Sequence, residues 1–261
     1  MPTYQDEAVV LRTQRLGEAD RIITLLTREH GQVRAVAKGV RRTSSKFGAR
    51  LEPFMVVHAQ LWAGRTLDTV TQAVSLAHYG AEIAGDFDRY TAASAAVETA
   101  QRLTSADPAP RQYLLLIGVL RAIANGDRDP QRLLDSYLLR ALSLGGWSPA
   151  LSSCARCDRE GPLTRFSAPL GGAVCEACGA GGAPRIDDGV LAAMRDLVAG
   201  DWQAVDATAE GDARRASGLI AAYAQFHLER GLKSLDVFDR QASLTRETDQ
   251  TSTERTHRAG H

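Results

Sequence analysis

All four cysteines of the chain fall between positions 154 and 178, as Cys154-x-x-Cys157 and Cys175-x-x-Cys178 with 17 residues between the pairs. Each C-x-x-C turn aims two thiolates to one side. Two such turns on a hairpin complete a tetrahedral shell of four sulfurs, with metal–sulfur bonds of about 2.3 Å. The spacing predicts a zinc ion held by Cys154, Cys157, Cys175 and Cys178. Four thiolates leave no open coordination position, so the ion would be structural and would staple a segment short of apolar residues. Free or disulfide-paired cysteines are the competing reading, and a redox dithiol would not need two pairs.

The remainder of the 261 residues divides in two. Residues 4–80 read as strands: Glu7–Thr13, Arg21–Thr27, Gln32–Ala37, Pro53–Ala63 and Leu67–Ala77, joined by turn-prone segments such as Glu29-His30-Gly31 and Gly64-Arg65. Five short strands predict a small barrel. The OB-fold, whose usual ligands are oligonucleotides or oligosaccharides, is the first candidate and an SH3-like barrel the second. After Tyr79-Gly80 the pattern turns helical, with helices expected within 82–104, at Gln112–Ala124, Gln131–Leu144, Gly189–Ala199 and Ala213–Arg230. Gln112–Ala124 is apolar on nearly all sides and is expected to be buried. The expected architecture is α+β. An OB-fold barrel at 1–80 precedes an α-helical domain at 81–240 with the cysteine insert at about 150–185, then a polar, disordered tail at 241–261.

Charge is balanced overall but not locally. Lys plus Arg equals Asp plus Glu over the chain, whereas residues 1–80 hold 11 basic and 7 acidic residues. Between Gln32 and Leu51 there are six bases (Arg34, Lys38, Arg41, Arg42, Lys46 and Arg50) and no acid. Thr43, Ser44 and Ser45 add hydroxyls that can bond phosphate oxygens, and Phe47 could stack on a base. On an OB barrel such a loop forms an electrostatic track for single-stranded nucleic acid; a solvated basic loop is the plainer alternative. Trp62 and Phe54 fit core or barrel-face positions better than base stacking. Trp147 is expected to pack under the cysteine hairpin.

Several classes are excluded. No phosphate-binding glycine motif and no catalytic histidine, serine or paired-carboxylate arrangement is present, so no enzyme activity and no small-molecule substrate are expected. No apolar run approaches the roughly 20 residues of a membrane helix, and the start of the chain has no apolar signal core, which predicts a cytoplasmic location.

Several segments together resemble the bacterial RecO family: Asp6–Leu11, Gly17–Thr27, His30-Gly31, Ala37–Arg42, Leu51–Phe54, Leu144-Gly145-Gly146-Trp147-x-Pro149, both cysteine pairs and Leu232-Lys233-Ser234. The resemblance spans about residues 4–240. It implies an N-terminal OB-fold, a helical C-terminal domain and, in many members, a four-cysteine zinc site. It further implies a DNA repair and recombination mediator that binds single- and double-stranded DNA and anneals complementary strands. RecR and the acidic C-terminal tail of SSB would be its partners, with RecA loaded onto SSB-coated DNA and the protein associated with the nucleoid. The family's motifs do not fix individual DNA contacts, so the candidate DNA-binding residues rest on the basic loop. A zinc-stapled protein–protein adaptor with incidental DNA affinity is the alternative.

Overall fold

The computed structural model describes residues 2–229. The expected tail at 241–261 lies outside the described residues. Five strands, β1 (Thr3–Leu16), β2 (Asp20–Thr27), β3 (Gln32–Ala37), β4 (Val56–Trp62) and β5 (Asp68–Ala77), close a barrel in the order β1-β2-β3-β5-β4. Neighbours are antiparallel except β3 and β5, which pair in parallel through Ala35–Asp68 and Val36–Thr69. Inward residues alternate with outward ones along the strands. Ala8, Val10, Ile23, Leu25, Ala35, Val57, Ala59, Leu61 and Val70 fill the barrel. The five-stranded OB-type barrel read from the sequence is therefore present.

Helices follow: α1 (Tyr79–Ala84), α2 (Phe87–Leu103), α3 (Pro110–Asn125), α4 (Pro130–Leu144), then a two-stranded hairpin β6 (Arg165–Ser167) and β7 (Gly172–Val174). Beyond it lie α5 (Glu176–Gly179), α6 (Asp188–Ala199), α7 (Trp202–Ala207) and α8 at residues 210–229. Local chemistry sets several starts. Asp86 and Asp129 accept from the Arg89 and Arg132 amides at 2.9 Å, and Pro110 and Pro130 occupy first-turn positions where no amide donor is needed.

The barrel does not stand apart from the helices. Outward residues Val9, Leu26 and Val56, with Leu11 and Phe54, belong to the same buried cluster as Ala92, Ala93 and Val97 of α2 and Tyr113 and Leu116 of α3. Polar contacts seal the seam. The Gln32 amide donates to Ser105 O at 2.6 Å and its side chain to Gln101 O at 3.0 Å. Within the barrel, buried Asp6 holds the β2–β3 turn, accepting from the Glu29 amide and meeting His30 Nδ1 at 2.7 Å. Gly31 is needed here on two counts: its φ is +65°, and a Cβ would fall 2.2 Å from Asp107 O.

Three expectations need correction. Pro53-Phe54-Met55 precedes β4 rather than opening it; Phe54 has φ +70° and is buried in the seam, edge-on to Tyr90 at 5.7 Å. Helix α3 is not buried all round, because Leu114 is 56% exposed. Phe47 is 2% exposed and packs inside the barrel with Val40 and Leu51, so it is no stacking platform. Phe47→Ala should therefore cost about 3–5 kcal/mol in denaturant unfolding, the usual penalty for emptying a buried phenyl site. A variant as stable as the parent would place the ring outside the core.

Candidate nucleic-acid interface and metal centre

The basic segment is a folded connection between β3 and β4. A turn at Lys38–Arg42 leans on the β1–β2 turn: the Gly39 amide donates to Asp20 Oδ1 at 2.7 Å, the Arg41 amide to Ala19 O at 3.0 Å, and Arg41 Nη1 to Glu18 O at 2.7 Å. The chain then enters a single 3-10 turn, Gly48–Leu51. Lys46 Nζ donates to Thr71 O on β5 at 2.7 Å and sits 5.1 Å from the Phe47 ring centroid, and Arg50 Nη1 donates to Lys46 O at 2.7 Å. Buried Val40, Phe47 and Leu51 thus anchor a loop whose charged residues stay outside.

All six candidate bases are exposed, with Arg34 on the outer face of β3. None is ion-paired to a carboxylate among the described residues. By contrast Arg21, Arg28, Arg102, Arg128, Arg132, Arg165 and Arg215 each meet one. Charge left without internal partners on a rigid support is what an external polyanion requires. Ser45 is partly engaged, since its Oγ accepts from the Phe47 amide at 3.2 Å.

The four cysteines converge. Their sulfurs all lie within 4.8 Å of one another, and Cys157 Sγ is 3.9 Å from Cys175 Sγ. Sulfurs sharing a tetrahedral ion at about 2.3 Å would stand roughly 3.8 Å apart, so the set fits a metal of that kind. The knuckles are made locally: the Asp158 amide donates to Cys154 O at 2.9 Å, and the Cys178 and Gly179 amides to Cys175 O at 3.1 and 3.0 Å. Burial raises the Cys154 thiol, but amides of Cys175, Arg156 and Cys157 aimed at it outweigh that and lower it, while the hydrogen bond with Cys175 and burial raise Cys178. A metal ligand is a thiolate, so an ion entering this site would displace the remaining thiol protons.

Behind the second knuckle Arg165 bonds Glu176 at 2.7 Å and Arg185 approaches it at 3.5 Å; hydrogen bonds from Arg165 and then Thr164 pull the Glu176 carboxyl down to about 2. The insert is less apolar-poor than its sequence suggested. Leu163, Phe166, Val174 and Ile186 join the helical core, with Phe166 edge-on to Tyr223 of α8 at 5.8 Å. Trp147 stacks on His227 at 5.8 Å between centroids.

The exposed face of α3 opens onto a groove of about 690 Å³ that the sequence did not reveal. Leu114, Leu115, Val119, Tyr137, Val198 and Trp202 line it, with Arg111 and Arg140 among its walls. The signal was the unbroken apolar run 113–120, which burial alone also explains. Arg214 and Arg215 of α8 are paired with Glu210 and Asp187. No described helix is long and apolar enough to cross a membrane.

Replacing one ligand tests the metal centre. Cys175→Ser should lower bound metal from one equivalent to a small fraction by elemental analysis, and lower the melting temperature. Wild-type protein that holds no metal after expression in zinc-replete medium would remove the reading.

Two family models match the chain: Recombination protein O N terminal over residues 1–79, and Recombination protein O C terminal over residues 84–236. The DNA repair protein RecO of Thermobifida fusca (strain YX) is 52% identical over 242 residues, covering 92% of this chain and all of that relative. With the barrel, the helical region and the four-cysteine cluster in place, these matches show that the chain belongs to the RecO family of DNA repair proteins.

Proposed function

We propose that this chain is a recombination mediator that binds single- and double-stranded DNA, anneals complementary strands and, with RecR, helps load RecA onto SSB-coated DNA. The observation that carries the DNA reading is the set of six exposed bases around the barrel, none paired to a described carboxylate. The charges of Arg34, Lys38, Arg41, Arg42, Lys46 and Arg50 neutralise phosphates and lower the repulsion between two strands brought together. Base edges stay available for pairing, and no covalent step or nucleotide is needed. Zinc at Cys154, Cys157, Cys175 and Cys178 has a structural role: it ties both ends of the β6–β7 insert to the helical core.

For the partner tail the groove on α3 is the supporting feature. Arg111 and Arg140 complement acidic side chains, and Leu114, Leu115 and Val119 offer an apolar wall. Arg111→Ala with Arg140→Ala should weaken binding of an SSB tail peptide, read by fluorescence anisotropy, and leave affinity for bare DNA unchanged. Equal loss of both would merge the two sites into one.

Salt dependence tests the interface. If all six bases meet single-stranded phosphates, log K falls against log[salt] with a slope of about −4, or roughly 2.5 decades between 50 and 200 mM. Replacing Arg34, Lys38 and Arg42 by Ala should flatten the slope by about 2. These three are chosen because Arg41, Lys46 and Arg50 also bond backbone carbonyls. An unchanged slope would move the DNA elsewhere. Nucleotide-independent annealing of SSB-coated strands that fades with salt would support the mediator. Intact SSB-tail binding without annealing would favour the adaptor reading, in which DNA affinity is incidental.

A further inference from the structure

Strand register divides the outside of the barrel into rows. One row, Val9–Leu26 with Val56, is buried against the helical region. The next, Arg12–Thr24–Arg34, carries two exposed arginines. A third row crosses all five strands through successive pairs: Gln14–Ile22, Ile22–Val36, Val36–Thr69 and Thr69–Trp62. The chain neighbours Ile23, Ala35, Ala37, Leu61 and Val70 all point into the barrel, so this row points out. It belongs to neither buried cluster, and Trp62 at its end is 46% exposed. At about 4.8 Å between strands, Ile22 to Trp62 spans roughly 14 Å.

An outward row that carries Ile22, Val36 and an indole would ordinarily suit many partners. Here its surroundings choose one. Arg34 lies two residues from Val36 on β3, the Lys38–Arg42 turn follows directly, and exposed Arg65 stands in the β4–β5 turn three residues after Trp62. Of the nearby carboxylates, Asp20 already accepts the Gly39 amide, and Asp68 accepts from Tyr4 Oη at 2.5 Å and the Gly64 amide at 2.9 Å. Ile22, Val36 and Trp62 thus supply the apolar part of a row that also holds Gln14 and Thr69, and the bases Arg34, Lys38, Arg41, Arg42 and Arg65 around it outnumber the carboxylates of Asp20 and Asp68, which keep their charge. That combination matches a polyanion with flat hydrophobic faces: a strand of unpaired nucleotides.

We propose that unpaired bases of bound single-stranded DNA stack on Trp62 and lie across Val36 and Ile22, while their phosphates face Arg34 and the Lys38–Arg42 turn. This rests on the reading of the basic loop as a DNA interface and adds a base-contacting surface to it. A duplex presents no free base faces, so the row contributes only to single strands. The loop supplies charge for both forms, and the row supplies preference for the unpaired one.

The test uses the full chain with three probes of equal length: a deoxythymidine oligonucleotide, the same backbone with abasic sites, and a duplex. Trp62→Ala should weaken the thymidine oligonucleotide on the order of tenfold and leave the abasic strand and the duplex within about twofold. Trp62→Phe should retain most of the affinity, as a smaller stacking ring. Tryptophan emission of the unmodified chain should be quenched by the thymidine strand and not by the abasic one, and Trp62→Phe should abolish that quenching. Equal loss on all three probes would make Trp62 a structural residue and overturn the proposal. Unchanged thymidine affinity, or loss of RecR binding alone, would assign the row to something other than bases. Failure of the unmodified chain to bind any of the three would remove the loop interface and this surface together.

Discussion

The outward side of β1, β2 and β4 packs into the helical core, and the rest of the arrangement depends on that contact. Val9, Leu26, Val56 and Phe54 share one apolar cluster with α2 and α3, so the barrel and the helices cannot rotate freely against each other. With one flank covered, the opposite flank, bearing the ends of β3 and β4 and the basic connection, is the one left open. Gly31 and the Gln32 bonds hold the seam at its polar edge, where even one extra methyl group would collide with Asp107. A small barrel of this size buries too little apolar area for ample stability alone, and joining a second core is one remedy.

Chemistry on this scaffold is divided by location. The barrel carries excess positive charge with few internal partners. In the helical region Arg102, Arg128, Arg132, Arg165 and Arg215 meet carboxylates while Arg111 and Arg140 stand beside the groove, and the cysteine insert sits far along the chain yet inside the same helical core. A net charge of zero over the chain conceals this division. Steering of a nucleic acid toward one face depends on that local excess and not on the total.

Much of this was legible in the sequence for reasons of range. β3 and the cysteine knuckles depend on residues close in sequence, and alternation or spacing reveals them directly. The basic residues were legible as a run without acids. Phe47 was not, because charged and small neighbours surround it on both sides and only the closed barrel shows the cavity it enters. The alignment of Trp62 with Val36 and Ile22 in one row depends on the parallel β3–β5 pairing, which joins segments more than 30 residues apart and has no local signature. Leu114 was misread for the opposite reason: helical periodicity cannot tell a buried face from one that lines an open groove.

The anchored loop has one more consequence. The residues that plug the barrel, Val40, Phe47 and Leu51, alternate along the chain with cations that repel one another. In the free protein this repulsion acts directly on the plug. On the proposed reading of this connection as a DNA interface, a bound strand would cancel that repulsion, and by mass action anything that binds only the folded form raises its stability by RT ln(1 + [L]/Kd). The barrel would then be coupled to its own ligand through the connection between β3 and β4, gaining stability with occupancy and losing it on dilution.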